Sequence, residues 1–318
     1  MRPLLPFLLS PLLLLPALAQ DAAPTAPPLP TAATDPTADV PAGKGERVVQ
    51  AGPVLLTVYT FRPEAWSGER LLIVMHGTLR NADEYRDDAI NMGQRFDALV
   101  IAPRFDRERF PSRAYQRGGV QREDGDAAPA AEWTYTRLRE VTAAVRLATG
   151  KPAAKLYVIG HSAGGQFLVR CAAFDDLGAE RIVAANPGSV LLPTREMPFG
   201  YGFGGLPAAL ADDDRLRDYL AAPLTIYLGT GDDHADEYFD DSLEAMQQGA
   251  GRHQRGLALW WSGKLLAAQR GWPFGWRLVE AVGVEHDHTV MFDRPECERA
   301  LFGGPAAKAA PAPQQPAK

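Results

Sequence analysis

Features that mark several other classes of protein are scarce in this 318-residue chain. Only two cysteines occur, Cys171 and Cys297, so the sequence does not predict a disulfide framework. Basic residues are not in excess, because 33 Lys and Arg stand against 39 Asp and Glu, giving a net charge of -6. This balance provides no electrostatic footprint for nucleic acid or for an anionic membrane. Neither is therefore an expected partner.

Long apolar runs are confined to the first twenty residues. That segment has an early positive charge at Arg2, a Leu-rich stretch with four prolines, and the small-residue exit Ala17-Leu18-Ala19. The pattern predicts a secretory signal peptide over residues 1–19. The prolines interrupt the run well short of the ~20 apolar residues that a membrane span needs. We expect an exported protein, periplasmic or secreted, with no stable membrane anchor.

Two further segments have too few apolar residues to build a core. Residues 20–44 are dominated by Ala, Pro, Thr and Asp, and residues 305–318 have the same character. Such compositions cannot bury enough apolar surface to offset the entropy lost on ordering. We predict a flexible leader over 20–44, a flexible tail over 305–318, and one domain over 45–304 between them.

Within that domain, strand-like and helix-like segments alternate, which predicts an α/β domain with a mostly parallel, twisted sheet and helices on both faces. The predicted strands lie at residues 46–51, 54–61, 71–76, 98–103, 155–160, 181–188, 223–229 and 276–282. The predicted helices lie at residues 81–96, 133–149, directly after Ser162, and at 251–269. The stretch 189–220 contains the Gly-rich MPFGYGFGGLP and fits neither pattern, so it is either a lid or pocket wall, or a plain surface loop.

Serine is also scarce, and one of the seven serines stands in the sequence KLYVIG-HSAGG. An apolar strand, then Gly160-x-Ser162-x-Gly164, then a helical run is the context that a nucleophile elbow requires. Glycines suit the two flanking positions, because side chains would clash where the backbone turns sharply enough to expose the hydroxyl. The pattern predicts Ser162 as a catalytic nucleophile.

A serine hydroxyl needs a general base, and that base is oriented by an acid. After an elbow of this kind, the acid and then the histidine follow on loops at the ends of later strands. Asp232 follows the predicted strand at 223–229, and His286 follows the strand at 276–282. We predict Asp232 as the acid and His286 as the base.

Each of these assignments has competitors in the sequence. Asp233 stands next to Asp232, and His288 lies two residues after His286 on the same loop. His234 is too close to the acid in sequence, and His253 lies in a helical stretch and not after a strand. Asp233 and His288 therefore remain the alternatives.

The oxyanion of an acyl-transfer intermediate needs two backbone donors. One predicted donor is the N–H of Ala163, directly after the serine, and the other is the N–H of Thr78 in the loop after the strand at 71–76, with Leu79 as its alternative. His76 in the same loop is expected to support the loop by hydrogen bonding, because its position in the chain does not suit a base.

Taken together, the segments GHSAGG, HGTLRNADEYRD, GTGDD and GVEHDHTVMF resemble the α/β-hydrolase superfamily, and within it the poly(3-hydroxybutyrate) depolymerase-like esterases. The resemblance covers roughly residues 50–303 and implies a single-domain α/β-hydrolase fold with the triad and oxyanion donors named above. Glu285 departs from the pattern, since such esterases often have glycine before the histidine. We expect no appended polymer-binding module, which favours soluble esters over solid polyester.

The resemblance also bears on cysteine and metal chemistry. It implies that the helices carrying Cys171 and Cys297 cover opposite faces of the sheet, whereas bridged Cα atoms must lie within about 7 Å. We therefore expect two free, buried thiols. The acidic run from Asp232 to Asp241 lacks the ordered pattern of a calcium loop. We expect a solvated acidic loop and no metal.

These observations predict a serine esterase that cleaves a small-molecule or oligomeric carboxylic ester through an acyl-enzyme, without a cofactor. A serine peptidase of the same fold is the nearest alternative, because a triad and oxyanion hole serve amides as well as esters. A non-catalytic binding protein that keeps the fold is a further alternative. Acyl and alcohol preference and oligomeric state are not encoded in any recognisable motif.

Overall fold

A computed structural model provides the structure of the protein and describes residues 27–304. The predicted signal peptide at 1–19 and the predicted tail at 305–318 lie outside the described residues. No helix within the described part of the chain is both long enough and apolar enough to cross a membrane.

The domain is built on one eight-stranded sheet in the order β1-β2-β4-β3-β5-β6-β7-β8. The strands are β1 (Gly43–Ala51), β2 (Val54–Arg62), β3 (Arg70–Met75), β4 (Ala98–Pro103), β5 (Lys155–His161), β6 (Ala179–Ala185), β7 (Leu224–Gly229) and β8 (Arg277–Ala281). β2 pairs antiparallel with both of its neighbours, β1 and β4, and β3 to β8 run parallel. All eight predicted strands are confirmed, to within a few residues at their ends.

Helices connect the strands along the chain. They are α1 (Ala82–Asp88), α2 (Ile90–Arg95), α3 (Ser112–Tyr115), α4 (Thr134–Thr149), α5 (Ala163–Phe174), α6 (Ala208–Ala211), α7 (Asp213–Ala221), α8 (Leu243–Gln248), α9 (Arg252–Arg270), α10 (His288–Asp293) and α11 (Pro295–Phe302). The predicted helix at 81–96 is two helices, which meet at Ala89. The other predicted helices match α4, α5 and α9, whereas the remaining short helices were not predicted.

Side chains alternate between two hydrophobic layers, one on each face of the sheet. One layer packs β3 and its neighbours against α4, α5, α7 and α9, and the other packs the opposite face against α1, α2, α10 and α11. Cys171 lies in the first layer and Cys297 in the second. Both thiols are free and buried, so this prediction is confirmed. Burial raises the pKa of Cys297 to about 12.

The second half of the predicted flexible leader is folded onto the domain, so that part of the prediction is wrong. The N–H of Thr34 donates to the carbonyl of Val48 at 2.9 Å, and the N–H of Val48 donates to the Thr34 hydroxyl at 2.8 Å. Val40 is buried, and β1 already begins at Gly43. Composition missed this contact because the segment gains its hydrogen bonds from a strand edge and needs little apolar surface of its own.

The Gly-rich stretch after β6 is packed into the domain. Its aromatic residues Phe199, Tyr201 and Phe203 are buried, and the Arg170 guanidinium of α5 donates to the carbonyl of Gly200 at 3.1 Å. The end of the predicted irregular stretch is the regular helix α7. These aromatic residues are therefore part of the core beside α5.

Candidate active site

Ser162 lies at the sharp turn between β5 and α5. Its backbone has φ 57° and ψ -116°, a strained conformation for a residue with a side chain. The Ser162 N–H donates to the carbonyl of Ala185 at 3.0 Å, which fixes the turn against β6. A β-carbon on Gly160 would lie 2.7 Å from the backbone of Gly164, and one on Gly164 would overlap the carbonyl of Met75. Neither position therefore has room for a β-carbon, so both residues must be glycine.

Two loops at the same edge of the sheet bring Asp232 and His286 together. His286 Nδ1 lies 2.7 Å from Asp232 Oδ2, and the Asp232 side chain is only 1% exposed, against 20% for His286. Asp232 follows β7 and His286 follows β8, and the N–H of Gly231 donates to the carbonyl of Val284 at 2.9 Å. Residues 54 positions apart thus form one hydrogen-bonded pair.

Asn186, directly after β6, connects these two loops. Its Oδ1 accepts from the N–H of Gly229 at 2.7 Å, and its Nδ2 donates to the carbonyl of Glu285 at 3.1 Å. Asn186 itself has φ 41°, a conformation that asparagine tolerates better than most residues. The Glu285 side chain points to solvent, so its departure from glycine leaves the histidine loop intact.

Arg252, at the start of α9, is a buried partner of the predicted acid Asp232 and was not expected from the sequence. Its guanidinium donates to Asp232 Oδ1 at 3.3 Å and to Asp236 Oδ1 at 2.7 Å, and the side chain is 1% exposed. No motif marks this arginine, because the contact arises only when α9 packs beside β7. Among residues 27–304, no group of three or more His, Cys, Asp or Glu side chains is arranged to hold a metal ion.

His161, the residue before Ser162, packs against His286, the predicted base. Its ring centroid lies 4.4 Å from that of His286 and 5.7 Å from that of His288. Neither of its ring nitrogens has a hydrogen-bond partner in the described structure, and burial holds the pKa of His161 well below 6.5. The Ser162 hydroxyl likewise has no hydrogen bond to any residue between 27 and 304. The structure therefore places His286 against His161, the residue before Ser162, without a hydrogen bond between Ser162 and His286.

The competing histidines contact other carboxylates. His288 Nε2 lies 2.8 Å from Asp88 Oδ2, and its ring is stacked on Tyr85. His253 Nε2 lies 2.7 Å from Glu280, and the exposed His234 lies 3.2 Å from Asp233. None of the three contacts Asp232 through its ring nitrogens.

The predicted oxyanion donors flank the serine. Ala163 is the first residue of α5, so its N–H has no partner within the helix. Thr78 lies in a turn that is closed by the N–H of Arg80 donating to the carbonyl of Gly77 at 3.3 Å. This turn approaches the nucleophile, because a β-carbon on Gly77 would lie 3.9 Å from Ser162 Cβ. Leu79, the alternative oxyanion donor in the same turn, is 59% exposed.

His76 stabilises this turn through both of its ring nitrogens. Its Nε2 accepts from the N–H of Phe105 at 3.1 Å, which leaves the proton on Nδ1, 3.0 Å from the carbonyl of Gly77. Burial, with the nearby charge of Arg80, lowers the pKa of His76 to about 3. Both ring nitrogens are thus occupied and the ring is neutral, which suits a structural residue and not a general base.

Solved structures similar to this one cover most of the chain. Poly(3-hydroxybutyrate) depolymerase LpqC from Bordetella parapertussis aligns with a TM-score of 0.76 at 33% identity, over 84% of this chain and 93% of that one. Poly(aspartic acid) hydrolase-1 from Sphingomonas sp. KT-1 aligns with a TM-score of 0.75 at 32% identity, over 79% of this chain and 96% of that one. No protein-family profile and no curated protein sequence matches the chain.

The strand order, with an elbow serine directly after β5, defines an α/β-hydrolase fold in a single domain, and the fold prediction is confirmed. Since two relatives exceed 30% identity along nearly their whole length, the chain belongs to the poly(3-hydroxybutyrate) depolymerase-like group of the α/β-hydrolases. The predicted family resemblance is confirmed as well. The protein is a hydrolase.

Proposed function

We propose that the protein is a serine esterase that cleaves carboxylic esters, with Ser162 as nucleophile, His286 as base and Asp232 as acid. The observation that supports this most is the 2.7 Å contact between His286 Nδ1 and the buried Asp232 carboxylate. That imidazole also packs on His161, next to the strained Ser162. A buried carboxylate on one nitrogen orients the other nitrogen of the ring for proton transfer.

In the acylation step, Asp232 accepts a hydrogen bond from Nδ1–H of His286, so Nε2 carries the free electron pair. The Ser162 oxygen attacks the ester carbonyl carbon while its proton passes to Nε2. Catalytic hydrogen bonds are often long in unliganded sites and shorten when substrate binds. The Ser162–His286 contact is therefore expected to form in the substrate complex.

The tetrahedral intermediate carries its negative charge on the former carbonyl oxygen. The N–H groups of Ala163 and Thr78 are the proposed donors to this oxygen. As the intermediate collapses, the bond to the alcohol oxygen breaks, and His286 returns its proton to the departing alcohol. Water then attacks the acyl-enzyme by the same route and releases the acid and free Ser162. The cycle uses no cofactor.

Amide hydrolysis, as by a serine peptidase of this fold, is the second candidate. It is favoured by one specific observation, the 32% identity to poly(aspartic acid) hydrolase-1. The 33% identity to a poly(3-hydroxybutyrate) depolymerase favours the ester to a similar degree. We place the ester first because the four motif segments resemble the esterase group. We further propose that the protein is exported and acts on a small-molecule or oligomeric ester, with no nucleic-acid partner.

The test compares an ester with an amide on the purified protein. Wild type is expected to release nitrophenol from nitrophenyl butyrate faster than nitroaniline from a peptide anilide. Ser162→Ala should lower kcat on the ester by about 10⁶-fold, the loss typical of a nucleophile. Ser262→Ala is the matched control, because that hydroxyl donates only to the carbonyl of Leu259 within α9. Faster cleavage of the anilide would support the peptidase, and full activity in Ser162→Ala would contradict both candidates.

A further inference from the structure

Tyr85 in α1 presents its hydroxyl to the turn that carries the proposed oxyanion donor. A β-carbon on Gly77 would lie 2.7 Å from Tyr85 Oη and 3.9 Å from Ser162 Cβ. The backbone of Gly77 does not have the positive φ that would demand glycine. Position 77 therefore has no room for a side chain, because the Tyr85 hydroxyl occupies that volume beside Ser162.

The aromatic ring of Tyr85 is fixed in orientation by its neighbours. The ring of His288 is stacked on it with centroids 4.0 Å apart and an angle of 3°, and Phe292 meets it edge-on at 6.1 Å. His288 in turn is held by Asp88, 2.8 Å from its Nε2. Tyr85 is only 3% exposed. A phenol held in this way can place its hydroxyl with little cost in side-chain entropy when a substrate arrives.

No residue between 27 and 304 accepts a hydrogen bond from the Tyr85 hydroxyl, and the hydroxyl of the buried Tyr135, which is remote from this turn in the first hydrophobic layer, likewise has no partner. The four tyrosine hydroxyls that do donate, those of Tyr115, Tyr201, Tyr219 and Tyr227, each have an acceptor at 2.7 to 3.0 Å. Burial raises the pKa of Tyr85 well above 10, against a smaller opposing effect of the Gly77 N–H. The phenol therefore keeps its proton at any working pH.

We propose that Tyr85 is a further catalytic residue, whose hydroxyl donates a hydrogen bond to the oxyanion beside the N–H groups of Thr78 and Ala163. The inference rests on the proposed serine hydrolase function and adds a third donor to it. No proton is transferred, since the phenol only donates a hydrogen bond that strengthens as negative charge develops on the carbonyl oxygen.

The test is the kinetics of Tyr85→Phe on nitrophenyl butyrate, which keeps the ring and its stacking on His288. We expect kcat to fall about a hundredfold with KM little changed, because removing an oxyanion donor affects the transition state and not the ground state. Tyr219→Phe is the matched control, because its buried hydroxyl donates to the carbonyl of Leu191 at 3.0 Å, in a structural contact. That variant should lose stability and keep its kcat.

Inhibition provides the readout that a structural role would not change. A trifluoromethyl ketone adds to the serine and forms an oxyanion, whereas the matching methyl ketone binds largely as the ketone. In Tyr85→Phe, the Ki of the trifluoromethyl ketone should rise by the same factor as kcat/KM falls, with the methyl ketone unchanged. Wild-type kcat in Tyr85→Phe, or equal weakening of both ketones, would overturn the role of Tyr85 alone. An inactive wild type would overturn it together with the proposed function.

Discussion

Two histidine-carboxylate pairs lie on one loop of this protein and differ in what surrounds the carboxylate. His286 contacts Asp232 at 2.7 Å, and His288, two residues later, contacts Asp88 at 2.8 Å. The distances are nearly equal, but the Asp232 side chain is 1% exposed and that of Asp88 is 29% exposed. Asp232 also accepts from the buried Arg252. Hydrogen-bond length alone therefore does not distinguish a catalytic pair from a positioning pair.

The second difference lies in what each imidazole faces. The ring of His286 packs on His161, which immediately precedes the nucleophile, whereas the ring of His288 is stacked on Tyr85. The His286 ring thus packs beside the residue before Ser162, and the His288 ring lies against Tyr85, whose hydroxyl approaches Gly77.

Removing each imidazole in turn gives the sharpest contrast. His286→Ala is expected to lower kcat on nitrophenyl butyrate by about 10⁶-fold, as the loss of a catalytic base does. His288→Ala should lower kcat by no more than about tenfold. A displaced Tyr85 would lose about 1.4 kcal/mol of transition-state stabilisation, which corresponds to that factor. Steady-state kinetics of the two variants measures the difference. Equal losses would show that the two histidines are not divided as we describe.

The carboxylates should follow the same order with smaller losses. Asp232→Asn is expected to lower kcat by about 10⁴-fold, because the amide NH2 can donate to Nδ1 and so favours the wrong tautomer of His286. Asp88→Asn, an isosteric change at the partly exposed pair, should stay within about tenfold of wild type. The kcat values of the two asparagine variants, measured relative to wild type, show which carboxylate is the acid. A larger effect at Asp88 would reverse the assignment of the acid.

Arg252 tests whether a buried cation accounts for the difference between the two carboxylates. Arg252→Met keeps an unbranched apolar side chain in α9 but removes the guanidinium, and so leaves Asp232 buried without its cationic partner. The free energy of unfolding should fall by about 3 kcal/mol, since breaking a buried ion pair leaves an uncompensated charge. Urea titration measures this loss. Arg62→Met is the control, because Arg62 pairs with the exposed Asp39, and it should change stability by less than about 1 kcal/mol.

The predictions from the sequence were accurate where a pattern repeats along the chain. All eight strands were found because buried strands such as β4 (ALVIAP) and β7 (LTIYLG) are continuous apolar runs. The elbow at Ser162 was found because its glycines are required by backbone geometry. The chain order of strands and loops also led to Asp232 and His286, which the structure brings into contact.

The sequence analysis missed residues whose roles arise only when distant elements pack. Arg252 begins a helix with no motif around it, and Tyr85 lies in a short, mostly charged helix with no motif that marks it. Asn186 connects two loops through a side chain that no local pattern marks. Short helices such as α10 (His288–Asp293) escaped because one or two turns show too little periodicity to recognise.

The smallest expected effect concerns His161, whose ring contacts both histidines of the comparison. Because the fold lowers the pKa of His161 below 6.5, the unfolded chain binds a proton that the folded protein does not. This contribution leaves stability unaffected above pH 6.5 and lowers it as the pH falls below that value. One such group costs about 1.4 kcal/mol per pH unit.

His161→Phe should therefore make the free energy of unfolding fall less steeply between about pH 6 and about pH 4.5. Urea titrations at several pH values measure the slope. His234→Phe, at a side chain that is 77% exposed, is the control and should leave the slope unchanged. An unchanged slope in His161→Phe would mean that the His161 ring becomes protonated within the fold.

The most direct test of the central claim, that His286 and Asp232 activate Ser162, is labelling with a fluorophosphonate followed by peptide mapping. We predict one label per wild-type chain, located on Ser162, and little labelling of His286→Ala under conditions in which His288→Ala is labelled. A label on another residue, or labelling of Ser162 that does not depend on His286, would contradict the account.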